Sequence, residues 1–102
     1  MSIKLEIDRK DYQRYMYRAD DKTSYAYCVL ERDVKAEKET WNIEIFMASP
    51  TRQGHGSILL QYLLKHKPVI YTVCPITTES RAFFTKHGMI APNYYDCKIF
   101  PQ

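Results

Sequence analysis

Gly54 and Gly56 stand one residue apart in the stretch MASPTRQGHGSILLQYLL, residues 47–64, where an alternating segment runs into an apolar helical pattern. A helix N-terminus leaves backbone N–H groups unpaired and carries roughly half a positive charge, so it suits an anion that can come close. Glycine has no Cβ to hold a phosphate away, and the pattern suits an anion-binding loop, although a lone GxG at a strand–helix junction equally suits a plain tight turn. The stretch lacks the GxxxxGK[ST] of a nucleoside-triphosphate loop, and the third glycine of a dinucleotide GxGxxG would fall at Leu59. Cys28, Cys74 and Cys97 are widely spaced, form no CxxC pair and show no zinc spacing. Cys74 and His87 can be named as a nucleophile and a base, but nothing in their spacing recommends them.

Such a loop needs a strand before it and a helix after it. TWNIEIFMA reads as a strand, with Trp41, Ile43, Ile45 and Met47 on one face and Asn42, Glu44 and Phe46 on the other. Ser57 to Lys67 reads as a helix whose stripe is Leu59, Leu60, Leu63 and Leu64; Lys65 and Lys67 suit its negative end and Pro68 stops it. VIYTV is a short apolar strand covered on both faces. A second helix runs from about Thr78 to His87, with Thr77 or Thr78 as N-cap, Glu79 in its first turn and Gly88 just past its end.

Upstream, SIKLEI alternates as an opening strand. Two further strands flank a polar turn from Asp20 to Ser24, although Tyr12, Tyr15 and Met16 also sit at helical spacing. VKAEKE is a solvated turn and YYDCKIF a closing strand. The sum is an α/β (α+β) domain: a single mixed, mainly antiparallel sheet with two main helices. Residues 1–48 supply N-terminal strands, 49–67 the loop and central helix, and 68–102 a β-α-β unit.

The 102 residues, 45% hydrophobic, make one small domain with a modest core. The N-terminus has no apolar export segment and no run approaches a membrane span. An odd cysteine count fits a reducing compartment, so a cytoplasmic location is expected. Residues 1–50 carry nine Lys/Arg against ten Asp/Glu, whereas residues 51–102 carry six against two, so the half containing the glycines is the cationic one. With Tyr94, Tyr95 and Phe100 that half could be read as a nucleic-acid surface, but an excess of four charges is small for that role.

TRQGHGSILLQYLL resembles the acetyl-CoA loop of the GNAT superfamily (Gcn5-related N-acetyltransferases), whose pattern Q/R-x-x-G-x-G/A opens the central helix. Gly54 and Gly56 match, while Thr51 stands where Gln or Arg is usual. ESRAFFTKHGM resembles the family's later helix, an aromatic pair followed by x-K-x-G-F, through Phe83, Phe84, Lys86, Gly88 and Met89. The resemblance covers residues 40–100. It implies a truncated acyl-CoA N-acyltransferase fold in which two strands splay apart around the pantetheine arm. Ile45, Phe46 and Met47 would line that arm, together with Phe84. Gln53, Gly54, His55, Gly56 and Ser57 would hold the pyrophosphate, and Arg52 the 3′-phosphate.

The implied activity is transfer of an acetyl group from acetyl-CoA to an amine, which needs a base for the amine and a donor for the departing thiolate. Glu44, the only acid on the strand before the loop, is the candidate base. Many members carry a Tyr four residues before the helix-ending glycine; Phe84 stands there and cannot donate. Tyr94, Tyr95 and Cys74 are the substitutes that the resemblance leaves. There is no room for the usual pair of helices between the first two strands, which favours a protein or peptide acceptor in an open groove. Short members of this kind are known among phage proteins that modify host targets, including an anti-CRISPR acetyltransferase. The shortening equally suits a GNAT-like binding module that acts by protein contact without turnover. The oligomeric state is left open.

Overall fold

A computed structural model of the chain describes residues 2–51, 53–75, 77–90 and 100–101. In chain order the elements are β1 (Ser2–Arg9), β2 (Tyr12–Arg18), β3 (Tyr25–Arg32), β4 (Thr40–Ser49), α1 (His55–His66), β5 (Ile70–Val73), α2 (Thr78–Lys86), β6 (Met89–Ile90) and β7 (Phe100–Pro101). The first five strands form one sheet in sequence order, antiparallel up to β4 and parallel between β4 and β5. β6 and β7 form a separate two-stranded antiparallel pair, so among the described residues the expected single sheet is two: the end of the chain pairs with Met89–Ile90, just past α2, instead of joining the main sheet. The architecture is therefore a mixed α+β fold with a five-stranded, mostly antiparallel sheet and two helices.

The ambiguous segment Tyr12–Arg18 is a strand, because its partners β1 and β3 take up its backbone groups on both edges. Asp21 closes the β2–β3 turn by accepting from the Thr23 and Ser24 N–H groups and from the Ser24 hydroxyl. Those bonds hold its carboxyl down at about 2. Only Lys10 and Asp11 separate β1 from β2, so no helix intervenes there. Of the expected closing strand YYDCKIF, residues 94–99 lie outside the described residues.

The faces of β4 differ from simple alternation. Leu30 pairs with Ile43 and Val29 with Ile45, which leaves Glu44 as the extra residue of a β-bulge. Trp41 and Ile43 point into the core before the bulge; after it the inward positions are Phe46 and Ala48, while Ile45 and Met47 turn outward and are 42% and 51% exposed. The expected face of Trp41, Ile43, Ile45 and Met47 is thus broken in the middle, since each inserted residue inverts the period-two pattern beyond it. A second bulge between Leu5 and Ile7 does the same to β1.

Both helices lie on one face of the sheet. Leu59, Leu60 and Leu63 of α1 are fully buried against Ala26, Cys28 and Leu30, and Phe84 of α2 joins the same cluster. Burial pushes the Cys28 thiol up to about 12, so it acts as a small apolar side chain. At its far end α1 is locked to β5 by the fully buried Tyr71, whose hydroxyl donates to the Lys67 carbonyl at 2.7 Å. Lys67 itself turns inward: Nζ donates to Gln13 Oε1 at 2.7 Å and sits 4.1 Å from the centre of the Trp41 ring.

Two substitutions separate packing from polar closure at this helix. Leu63→Ala is expected to cost about 2–5 kcal/mol through the cavity it leaves. Tyr71→Phe is expected to cost about 1 kcal/mol, since only the hydroxyl contact is lost. Urea unfolding measures both, and equal losses would mean that the Tyr71 hydroxyl closes more of this end than one hydrogen bond.

Candidate anion and acyl groove

Parallel pairing between β4 and β5 runs only from Thr40/Ile70 to Ile43/Val73 and ends at the bulge. Beyond it the C-terminal half of β4 has no β5 partner among the described residues. A groove of about 700 Å³ opens there, walled by the end of β4, the first turn of α1 and one face of α2. Phe46, Ala48, Ala82 and Phe83 give it an apolar side; Ser57, Glu79 and Lys86 give it a polar one.

The α1 N-terminus faces this space. Gly54 is its N-cap, with φ +83°, a left-handed conformation that a side chain would strain. Ile58 N–H makes the first intrahelical bond, to the Gly54 carbonyl at 3.1 Å, so the N–H groups of His55, Gly56 and Ser57 have no acceptor within the helix. The N-cap gives no side-chain hydrogen bond and the first turn holds no acid. The α2 N-terminus is finished differently: Thr77 accepts from the Ser80 N–H, and Glu79 sits in the first turn.

The two glycines do different work. A Cβ on Gly54 would meet nothing within 4 Å, so the backbone conformation alone requires glycine. A Cβ on Gly56 would lie 3.3 Å from Phe46 and 3.4 Å from Phe83, so glycine here admits the aromatic wall. Phe46, Phe83 and Phe84 form that wall, with ring centroids 5.1–5.6 Å apart. Phe84 is 4% exposed and sits at the base of the trio, a packing role.

The other sequence-derived residues distribute as follows. Ile45 and Met47 project from the opposite face of the sheet, so they could meet a ligand in the groove only through their backbone. Glu44 is exposed at the bulge and is not among the groove's walls. Gln53 is exposed beside the N-cap. His55 lines the groove with its ring 5.6 Å from that of Tyr17, and its Nδ1 is buried without a hydrogen-bond partner. Arg52, Tyr94 and Tyr95 lie outside the described residues. Cys74 is exposed. Among the described residues no group of three or more His, Cys, Asp or Glu could hold a metal ion.

One contact has no signal in the sequence. Ser57 Oγ lies 2.9 Å from His87 Nε2, tying the first turn of α1 to the residue that caps α2. Thirty positions separate the two residues, and only the packing of α2 against the glycine loop brings them together. Burial, and then the neighbouring Lys86 charge, hold the His87 imidazole below its ordinary value. At neutral pH the ring is therefore uncharged, and its tautomer decides whether Ser57 donates or accepts.

That depression predicts a pH dependence. Below about pH 6.5 the unfolded chain takes up the His87 proton more readily than the folded one. The contribution is thus complete above about pH 6.5 and is lost as pH falls through the lower folded value. Urea unfolding from neutral to mildly acidic pH should show wild type losing stability relative to His87→Gln; parallel curves would mean that His87 titrates normally.

No family model, no curated protein and no solved structure matches this chain, so its geometry and chemistry must carry the functional reading.

Proposed function

We propose that the groove binds acetyl-CoA and that the domain is a small N-acetyltransferase of the GNAT type, acting on an amine of a protein or peptide. The observation that carries this reading is the unfinished N-terminus of α1 opening on a groove that begins where β4 parts from β5. The free N–H groups at Gly54–Ser57 suit the diphosphate. The apolar wall of Phe46 and Phe83 suits the pantetheine arm, which would run along the unpaired edge of β4.

In the transfer the amine lone pair attacks the thioester carbonyl, the C–S bond breaks, the amine loses a proton and the CoA thiolate leaves. Glu44 is the carboxylate nearest the parting of the strands in sequence and is the proposed base. From the bulge it would serve an acceptor arriving from solvent, directly or through water.

A second reading is favoured by one observation. Phe84, at the position where the resembled family often keeps a proton donor, is buried in the aromatic trio and offers none. A CoA-binding or partner-binding module without turnover fits that as well.

Thermal unfolding with acetyl-CoA tests binding. Ligand at a hundredfold its Kd should add about 2.7 kcal/mol, on the order of 10 °C for a domain this small. Ser57→Asp is a suitable control, because an acid in the first turn suits the helix dipole yet repels a diphosphate. A shift in wild type that vanishes in S57D supports the CoA site, and acetyl transfer to peptide amines then separates enzyme from binding module. No shift at millimolar ligand overturns the CoA reading.

A further inference from the structure

The face of the sheet away from the helices is not bare in a random way. The strand register places three rows across it: Arg9, Tyr12, Glu31 and Asn42; then Ile7, Arg14, Val29 and Ile45; then Lys4, Met16, Tyr27 and Met47. Both bulges act on this face. The one at Glu6 turns Ile7 onto it and the one at Glu44 turns Ile45 and Met47 onto it, and the two isoleucines fall at opposite ends of the same row. Met16 and Val29 are nearly buried there although they belong to no part of the core under the helices. Arg14 lies 4.7 Å from the centre of the Tyr27 ring, and the Tyr27 hydroxyl reaches Met47 Sδ at 3.2 Å. Among the described residues no helix or strand covers this layer. Its mixture of Tyr, Met, Ile and Arg is that of a protein interface rather than of a solvated sheet.

We propose that this face is covered by a second copy of the chain, sheet against sheet. The register makes the face complementary to itself about one axis, on which the acid of one copy meets cations of the other. The cations Lys4, Arg9, Arg14 and Arg18 lie on β1 and β2, partly offset by Glu6, which is 3.7 Å from Arg14 and 3.9 Å from Arg18. The acid Glu31 lies on β3. A two-fold axis along the strands, between β2 and β3, keeps each row over itself and exchanges its ends. Ile7 then meets Ile45, Met16 meets Tyr27, and Glu31 lies over the partner's Tyr12 between the partner's Arg9 and Arg14. An axis across the strands would instead gather the cations of both copies together. Aligned sheets packed about 10 Å apart suit this arrangement.

The four antiparallel strands present roughly 500 Å² per copy in projection, hence about 1,000 Å² or somewhat more in the pair, the lower end for a specific interface. An interface of this size suits a reversible dimer. The groove lies on the other face, so both copies keep it open, and the inference stands apart from the proposed activity.

Sedimentation velocity of the full chain between about 1 and 200 µM tests it, because mass action must populate the dimer as concentration rises. Met47→Glu and Glu31→Arg should each raise the dimer Kd at least about tenfold, and Arg9→Glu combined with Glu31→Arg should recover most of the loss. All these side chains point outward, and circular dichroism checks that the fold is kept. A chain that stays monomeric throughout overturns the proposal and leaves the face to a different protein or to none. A dimer indifferent to Met47→Glu places the interface elsewhere, and a double variant no better than Glu31→Arg overturns the axis.

Discussion

One inserted residue in β4 sets the sidedness of the molecule. Before Glu44 the strand gives Trp41 and Ile43 to the helices; after it, it gives them Phe46 and Ala48. Without the bulge Ile45 and Met47 would face inward and Phe46 would point to solvent, leaving Gly56 only the Phe83 ring to accommodate. The bulge also coincides with the end of β4–β5 pairing, so the same residue that inverts the side chains starts the gap between the strands. Groove, aromatic wall and open face all follow from that inversion.

The short α1 links this device to the loop. Leu59, Leu60 and Leu63 anchor its middle, and Tyr71 and Lys67 close its far end, so the unfinished first turn is held by packing rather than by a cap. A helix end with free N–H groups costs stability unless something accepts from them. Here the glycine N-cap and the Ser57–His87 contact are what the chain supplies. Among the described residues the first turn is held by packing and no hydrogen bond takes up its N–H groups, the combination that suits an anion.

Much of this was legible from residue pattern. The helix at 57–67 and the one at 78–87 fall within two residues of α1 and α2, because leucine spacing, Pro68, Thr77 and Gly88 are strong local punctuation. Alternation and short apolar runs marked β1, β3, β4 and β5, whereas β2 also fitted a helical spacing and β6 was not read as a strand. The bulges were not legible: an extra residue leaves no mark on an alternating sequence until its partner strand is known, so the faces of β4 were misassigned beyond Ile43. Of the cations in the second half, Arg52 and Lys98 lie outside the described residues. Lys67 is spent on Gln13 and Trp41 at the opposite end of α1, and of the groove's walls Lys86 is balanced by Glu79. Glycine spacing located the loop, but the contact a Cβ on Gly56 would make with Phe46 and Phe83 has no mark in that spacing.

The two faces therefore answer to different selective demands. On the helix face, close packing leaves a groove among the described residues, and polar groups at a helix end line it. On the other, the bulges at Glu6 and Glu44 each cost a regular ladder contact and return an isoleucine to the same row, Ile7 half-buried and Ile45 exposed. A bulge on an edge strand such as β1 can be explained as protection against stray pairing. β4 is instead flanked by β3 and β5 over its first half, and its bulge lies against β3 where the β5 pairing ends. A shared cause, the placing of apolar side chains in register on the uncovered face, explains both bulges with one requirement. It also explains why Met16 and Val29 are kept dry on a side where no helix needs them.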